Sequence, residues 1–143
     1  MKIQRLAAGR LGTFVWSDER AEWRGVGLLG GIKVTTALVP WSKERRHEPA
    51  LLTRALIQLK RLDKNERLIR WKAIQDETCD AGYFDSGEEK VSALHFWSYL
   101  RPAIVKLGAA PSIYFENRRL LGYHYLVAEL SPSGAFLSAS MEG

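Results

Sequence analysis

The chain has very little cysteine, with Cys79 alone among 143 residues. A single thiol excludes a disulfide scaffold and any Cys-rich zinc site, and it suits a reducing compartment. Histidine is nearly as scarce. His47, His95 and His124 are the only three, and none stands at helical metal-ligand spacing from another, so no metal is expected. Long apolar runs are also missing. The longest weakly charged stretch, from Gly25 to Trp41, is broken by Lys33, four glycines and Pro40 and is too short and polar to span a bilayer. The opening residues Met1 to Leu6 carry no apolar segment followed by a small-residue cleavage site, which reads as a cytoplasmic protein without a secretory signal. No G-x-x-x-x-G-K-[ST], G-x-G-x-x-G or G-x-S-x-G occurs, so nucleotide-dependent enzymes and ordinary hydrolases are not indicated and no cofactor is expected.

What is present is an ordinary globular composition, 46% hydrophobic and 26% charged, in a length that suits one domain spanning 1–143. The net charge of +5 is unevenly spread. Residues 40–72 hold ten Lys and Arg against four Asp and Glu, whereas residues 73–100 hold one against six. A basic block attracts polyanions. The acidic block beside it would cancel that field if it folded back onto it.

The pattern divides the chain into a β-rich part (1–41), a helical part (42–108) and a second β-rich part (111–139). Gly30-Gly31 between the strand-like runs Glu22 to Leu29 and Ile32 to Val39 is a hairpin signal, because both central positions of a type I′ turn need positive φ. Leucines at spacings of three and four predict a helix after Pro49, with Leu52, Leu56, Leu59 and Leu62 facing the sheet, so that Leu56→Ala would cost about 2–5 kcal/mol. Asp63 and Glu66 have capping-box spacing and predict a second helix start. Ser86 and Glu89 repeat that spacing, and Pro102 with Gly108 would kink and end a further helix. Residues 111–130 read as an antiparallel hairpin, with Phe115 pairing inside the segment from Leu120 to Tyr125. The expected fold class is α+β: N- and C-terminal β-hairpins in one mixed or antiparallel sheet, packed against two to four central helices.

The strongest candidate for chemistry lies in the helical block. Lys60, Lys64, Arg67 and Trp71 fall on one stripe of a continuous helix, and Arg45, Arg46 and Arg54 add positive charge. Cations neutralise phosphates and an aromatic ring stacks on an unpaired base. The same side chains also serve simply to solvate a helix whose Trp71 is core. Arg118 and Arg119 sit at the expected tip of the last hairpin, beside Tyr114 and Tyr123, where they would grip a nucleic-acid backbone. Trp16, Trp23 and Trp41 crowd the N-terminal β region, as core or as a contact surface. The short stretch from Leu62 to Leu68, with Trp71 close behind, resembles a helix start in phage recombination accessory proteins that bind single-stranded DNA.

The leading expectation is therefore a non-enzymatic nucleic-acid-binding accessory protein of phage or plasmid type. The alternative is an assembly or inhibitor protein that binds a protein partner through aromatic surface and β-edges, edges that also leave homo-oligomerisation open. A second alternative is a small nuclease, with His47, His124 and Arg119 as the acid, base and phosphate-binding groups.

Overall fold

The computed structural model describes residues 4–7, 12–79, 97, 100–117 and 121–142. Its strands are β1 (Arg5–Ala7), β2 (Thr13–Ser17), β3 (Glu22–Leu29), β4 (Ile32–Leu38), β5 (Arg101–Leu107), β6 (Ser112–Glu116), β7 (Tyr125–Leu130) and β8 (Phe136–Glu142). They form one eight-stranded sheet whose spatial order repeats the chain order. Every pairing is antiparallel except that of β4 with β5, which are parallel. A parallel neighbour requires a crossover. The chain makes it with α1 (Pro49–Cys79), a single helix of 31 residues that covers one face of the sheet.

Alternation within the strands sets which side chains meet α1. Phe14 and Trp16 on β2, Trp23 on β3, Val34 and Leu38 on β4, and Val105 and Leu107 on β5 are buried on this inner face. Ile113, Phe115, Leu126, Ala128 and Leu130 continue it on β6 and β7. Burial of a large apolar side chain contributes roughly 1.5–3 kcal/mol. The β3–β4 hairpin turns at Gly30 and Gly31, whose φ angles of 59° and 80° are the left-handed values that the type I′ reading required.

The central region departs from the sequence reading. In place of two to four helices the described residues of this region hold one long helix, and 101–107, expected to be helical, is strand β5. Pro102 is accommodated there because the β5–β6 register shifts between Pro102 and Ile104, a bulge at which a missing N–H does no harm. The helix start expected at Ser86 lies outside the described residues, as does His95.

The orientation of α1 also differs from the leucine pattern. Leu56 is 42% exposed, and Leu52 and Leu59 are only half-buried. The buried stripe instead runs Leu51, Ala55, Gln58, Leu62, Glu66, Ile69, Ala73, and so contains two polar side chains that a hydrophobicity count passes over. Both have structural partners. Gln58 Nε2 donates to the Gly108 carbonyl at 2.7 Å and to the Pro132 carbonyl at 3.2 Å, while Gln58 Oε1 accepts from the Gly108 N–H at 2.9 Å. Glu66 forms an ion pair with Arg70 at 3.2 Å, and Arg70 also donates to the Leu100 carbonyl and lies over the Trp97 ring.

The residues read as a capping box thus belong to the helix interior and hold the sheet. Asp63 Oδ1 accepts from the Gly30 N–H at 2.6 Å, and Glu66 lies beneath Gly30. The last hairpin is antiparallel as expected, but Phe115 pairs with Leu126, one residue beyond the expected segment. The cause is a longer connection: it takes in Leu121, whose N–H bonds back to the Asn117 carbonyl, and Gly122, at a φ of 62°. No helix among the described residues is long and apolar enough to cross a membrane.

Candidate nucleic-acid interface

Since α1 occupies one face of the sheet, the alternate side chains of β3 to β8 point away from it onto a face that no described element covers. Register defines two rows across it. One runs Arg24, Ala37, Lys106, Ser112 and Glu129, and the next runs Val26, Thr35, Ile104, Tyr114 and Val127. This face encloses a hollow. The hollow measures about 980 Å³. Five cations line it, Arg20, Arg24, Lys33, Arg101 and Lys106, against two carboxylates, Glu116 and Glu142.

Several of these groups are already engaged. Arg24 pairs with the buried Glu22 carboxylate at 3.4 Å, two residues away on the same strand face. Arg101 and Glu116 stand opposite one another in register and approach to 3.8 Å, mostly in solvent. Such an exposed pair contributes little and yields readily to a competing anion. Lys106 Nζ lies 5.1 Å from the centre of the Tyr114 ring, and Tyr114 meets Tyr125 edge to face at 5.7 Å. Arg20 and Lys33 have no carboxylate within ion-pair distance among the described residues. Among the described residues, the face thus carries more positive charge than the carboxylates lining it neutralise.

The residues singled out in the sequence are dispersed by the fold. Lys60, Lys64 and Arg67 are exposed on the outer side of α1, as binding to a polyanion requires. Trp71 does not continue their stripe as a free stacking surface: it is half-buried, edge to face with Trp97 at 5.9 Å. Arg45 pairs with Glu48 at 2.8 Å and lies over Trp41, as Arg54 does. Arg46 donates to the Lys43 carbonyl and to Gln4 and lies over Trp16. These three arginines therefore hold the start of α1 against the tryptophans. Trp16 and Trp23 are core, in edge contact at 5.2 Å, with the Trp23 indole N–H donating to the Arg46 carbonyl. Arg118 and Arg119 lie outside the described residues. In the acidic block, Asp76 accepts from the Ala139 N–H at 2.8 Å on β8 and so does not reach the basic stripe, while Asp80 and Asp85 lie outside the described residues.

The two histidines of the nuclease reading are not brought together, and its Arg119 lies outside the described residues. His47 packs edge-on against Trp23 at the start of β3, whereas His124 precedes the first residue of β7. The register from Trp23 to Leu38 and from Leu38 to Leu107 puts His47 at the end of the sheet where β7 finishes, so the two imidazoles belong to opposite ends. The described residues hold no group of three or more His, Cys, Asp or Glu placed to bind a metal ion.

Sequence reasoning missed the open sheet face. Alternation alone could have separated Arg24 from Trp23 and Lys106 from Val105 and Leu107. What it could not supply is the parallel pairing of β4 with β5, which brings Lys33 and Arg24 alongside Arg101 and Lys106 across about seventy to eighty residues of chain. No family model, curated protein or solved structure matches the chain.

Proposed function

We propose that the chain is a non-enzymatic nucleic-acid-binding protein whose principal contact surface is the open face of the sheet. The observation that carries this reading is the concentration of five cations against two carboxylates in one concave surface, with tyrosines on its floor. Phosphate neutralisation by such a set supplies sequence-independent affinity and makes it salt-dependent. Lys60, Lys64 and Arg67 on the outer side of α1 form a second, weaker candidate. The lone Cys79 agrees with a cytoplasmic setting.

The test is binding of labelled oligonucleotides measured over a range of salt concentrations. Lys33→Ala with Lys106→Ala is expected to weaken binding alike for all sequences and to lower the salt slope by about one unit for each phosphate that is no longer neutralised. Lys64→Ala with Arg67→Ala is expected to have the smaller effect. The reverse order would move the site to the helix, and an unaltered slope in both variants would refute the reading.

A second reading, a protein partner, is favoured by one feature. Leu28, Leu56 and Leu59 gather beside Lys60 and Asp63 around a second hollow of about 810 Å³, which adjoins the first at Val26 and Lys33 and offers an apolar surface of the kind that binds other proteins. Leu28→Ser would abolish that association and leave oligonucleotide binding intact.

A further inference from the structure

Resting on the reading of the open face as the nucleic-acid surface, we propose that its ligand is a single strand, with phosphates over the cations of β3 to β5 and bases against Tyr114 and Tyr125. The face is divided along the sheet. Arg24, Lys33 and Lys106 stand on β3, β4 and β5, whereas β6 and β7 present the two tyrosines. The two carboxylates of the hollow, Glu116 on β6 and Glu142 on β8, lie in this second half.

A ligand that offers only phosphates gains at most a hydroxyl contact from the tyrosine half and is repelled by its carboxylates. An unpaired base gains from both groups, because its π face stacks on an aromatic ring and its exocyclic amine donates to a carboxylate. The geometry suits such a base. The tyrosine rings meet edge to face at 71°, so the edge of one lies against one face of the other and a base stacks on the faces that remain. Lys106 Nζ lies over Tyr114 at 5.1 Å from the ring centre, so a base that stacks on that face takes its place and the displaced ammonium is left within reach of the adjoining phosphate. Four strand spacings of about 4.8 Å separate β3 from β7, about 19 Å in all, which is room for several nucleotides laid across the strands. A duplex is excluded from this mode, since its bases are paired and show only their edges in the grooves. Rings on the floor of a hollow do not reach them.

The experiment uses the full chain and fluorescence anisotropy at one fixed salt concentration. The probes are a short mixed-sequence single strand, as DNA and as RNA, and the annealed DNA duplex, with heparin as unlabelled competitor. The single strand is expected to bind about ten-fold more tightly than the duplex, in the DNA arm or the RNA arm, with the tighter arm identifying the source. Tyr114→Leu and Tyr125→Leu are each expected to lose about ten-fold on the single strand and to leave duplex and heparin binding unchanged, while the Phe variants retain the affinity. Equal binding of single strand and duplex, with heparin competing equally against both, overturns the single-strand assignment and leaves the charged-surface reading standing. Failure of every probe to bind overturns both. The comparison of probes on the unmodified chain decides the matter even if a tyrosine variant does not fold.

Discussion

Replacing Gln58 by leucine would put an apolar side chain of similar size into the buried stripe of α1, a change that a hydrophobicity argument scores as favourable. The structure assigns it the opposite sign. Gln58 is 2% exposed and is the hydrogen-bond partner of both the N–H and the C=O of Gly108. Gly108 is itself buried at the end of β5. Its φ of 140° and the Val39 carbonyl 2.5 Å from where a Cβ would stand leave its backbone little room to turn toward other partners. A leucine side chain at this position would leave a donor and an acceptor buried and unsatisfied, at about 1–3 kcal/mol each. The added apolar burial offsets at most about 2 kcal/mol. The two costs sum to about 2–6 kcal/mol, so with the full offset the mid-range net loss is about 2 kcal/mol. By contrast, Leu56→Ala on the exposed side of the same helix is expected to cost less than about 1 kcal/mol. Urea unfolding measures both, with a lowered midpoint at unchanged slope as the signature of a stability change. A Gln58→Leu variant as stable as the parent, or a Leu56→Ala variant that loses more than it does, would sink this account of how α1 is seated.

Two further expectations concern the same interface. Burial raises the Glu66 carboxyl above its ordinary value of 4.5, while Arg70 opposes the rise. Glu66 is thus protonated in folded and unfolded chains alike below pH 4.5, and the cost of its buried charge grows as pH rises from there through the folded-state value. The melting temperature of Glu66→Gln relative to the parent is therefore expected to move in the variant's favour from pH 4.5 towards neutrality, and a difference independent of pH would contradict this. At Gly25, an added Cβ would lie 2.7 Å from Phe14 Cδ1 in the core, so Gly25→Ala should destabilise by about 1–3 kcal/mol in thermal unfolding. A neutral outcome would mean that the Phe14 ring moves freely.

The parts legible in the sequence were those set by local chemistry. Gly30-Gly31 specified a turn that only glycine adopts without strain, and both flanking strands followed. Ser131 to Gly134 likewise closes as a turn, with the Gly134 N–H on the Ser131 carbonyl. The parts not legible were those where a side chain's partner is remote. Asp63 has the spacing of a helix cap, yet its acceptor is used 33 residues away in the chain, on the Gly30 N–H. Gln58 breaks an apolar stripe for the sake of Gly108, 50 residues away, and so the leucines pointed to the wrong face. Residues 101–107 carry a proline and few polar groups, which suits a helix restart as well as a bulged strand. Only the partners on either side decide between them. The candidate site was obscured for the same reason, because its cations are scattered in sequence and meet through β4 and β5.

The seam between β4 and β5 has a consequence for how a ligand would act on the chain. All other strand pairings join neighbours through short connections and close small loops, whereas this one closes the long excursion from Leu38 to Arg101. It is the joint between two four-stranded meanders. The first brings Arg24 and Lys33 to the open face, and the second brings Arg101, Lys106 and both tyrosines. Neither meander alone presents the complete set, so a molecule that needs both halves binds only while the seam is closed. By mass action it then holds the seam shut, with a strength set by its concentration relative to its dissociation constant. Under the proposed function, occupancy of the face and integrity of the fold would in this way be a single equilibrium: a chain opened between Thr35 and Ile104 would also have lost such a ligand.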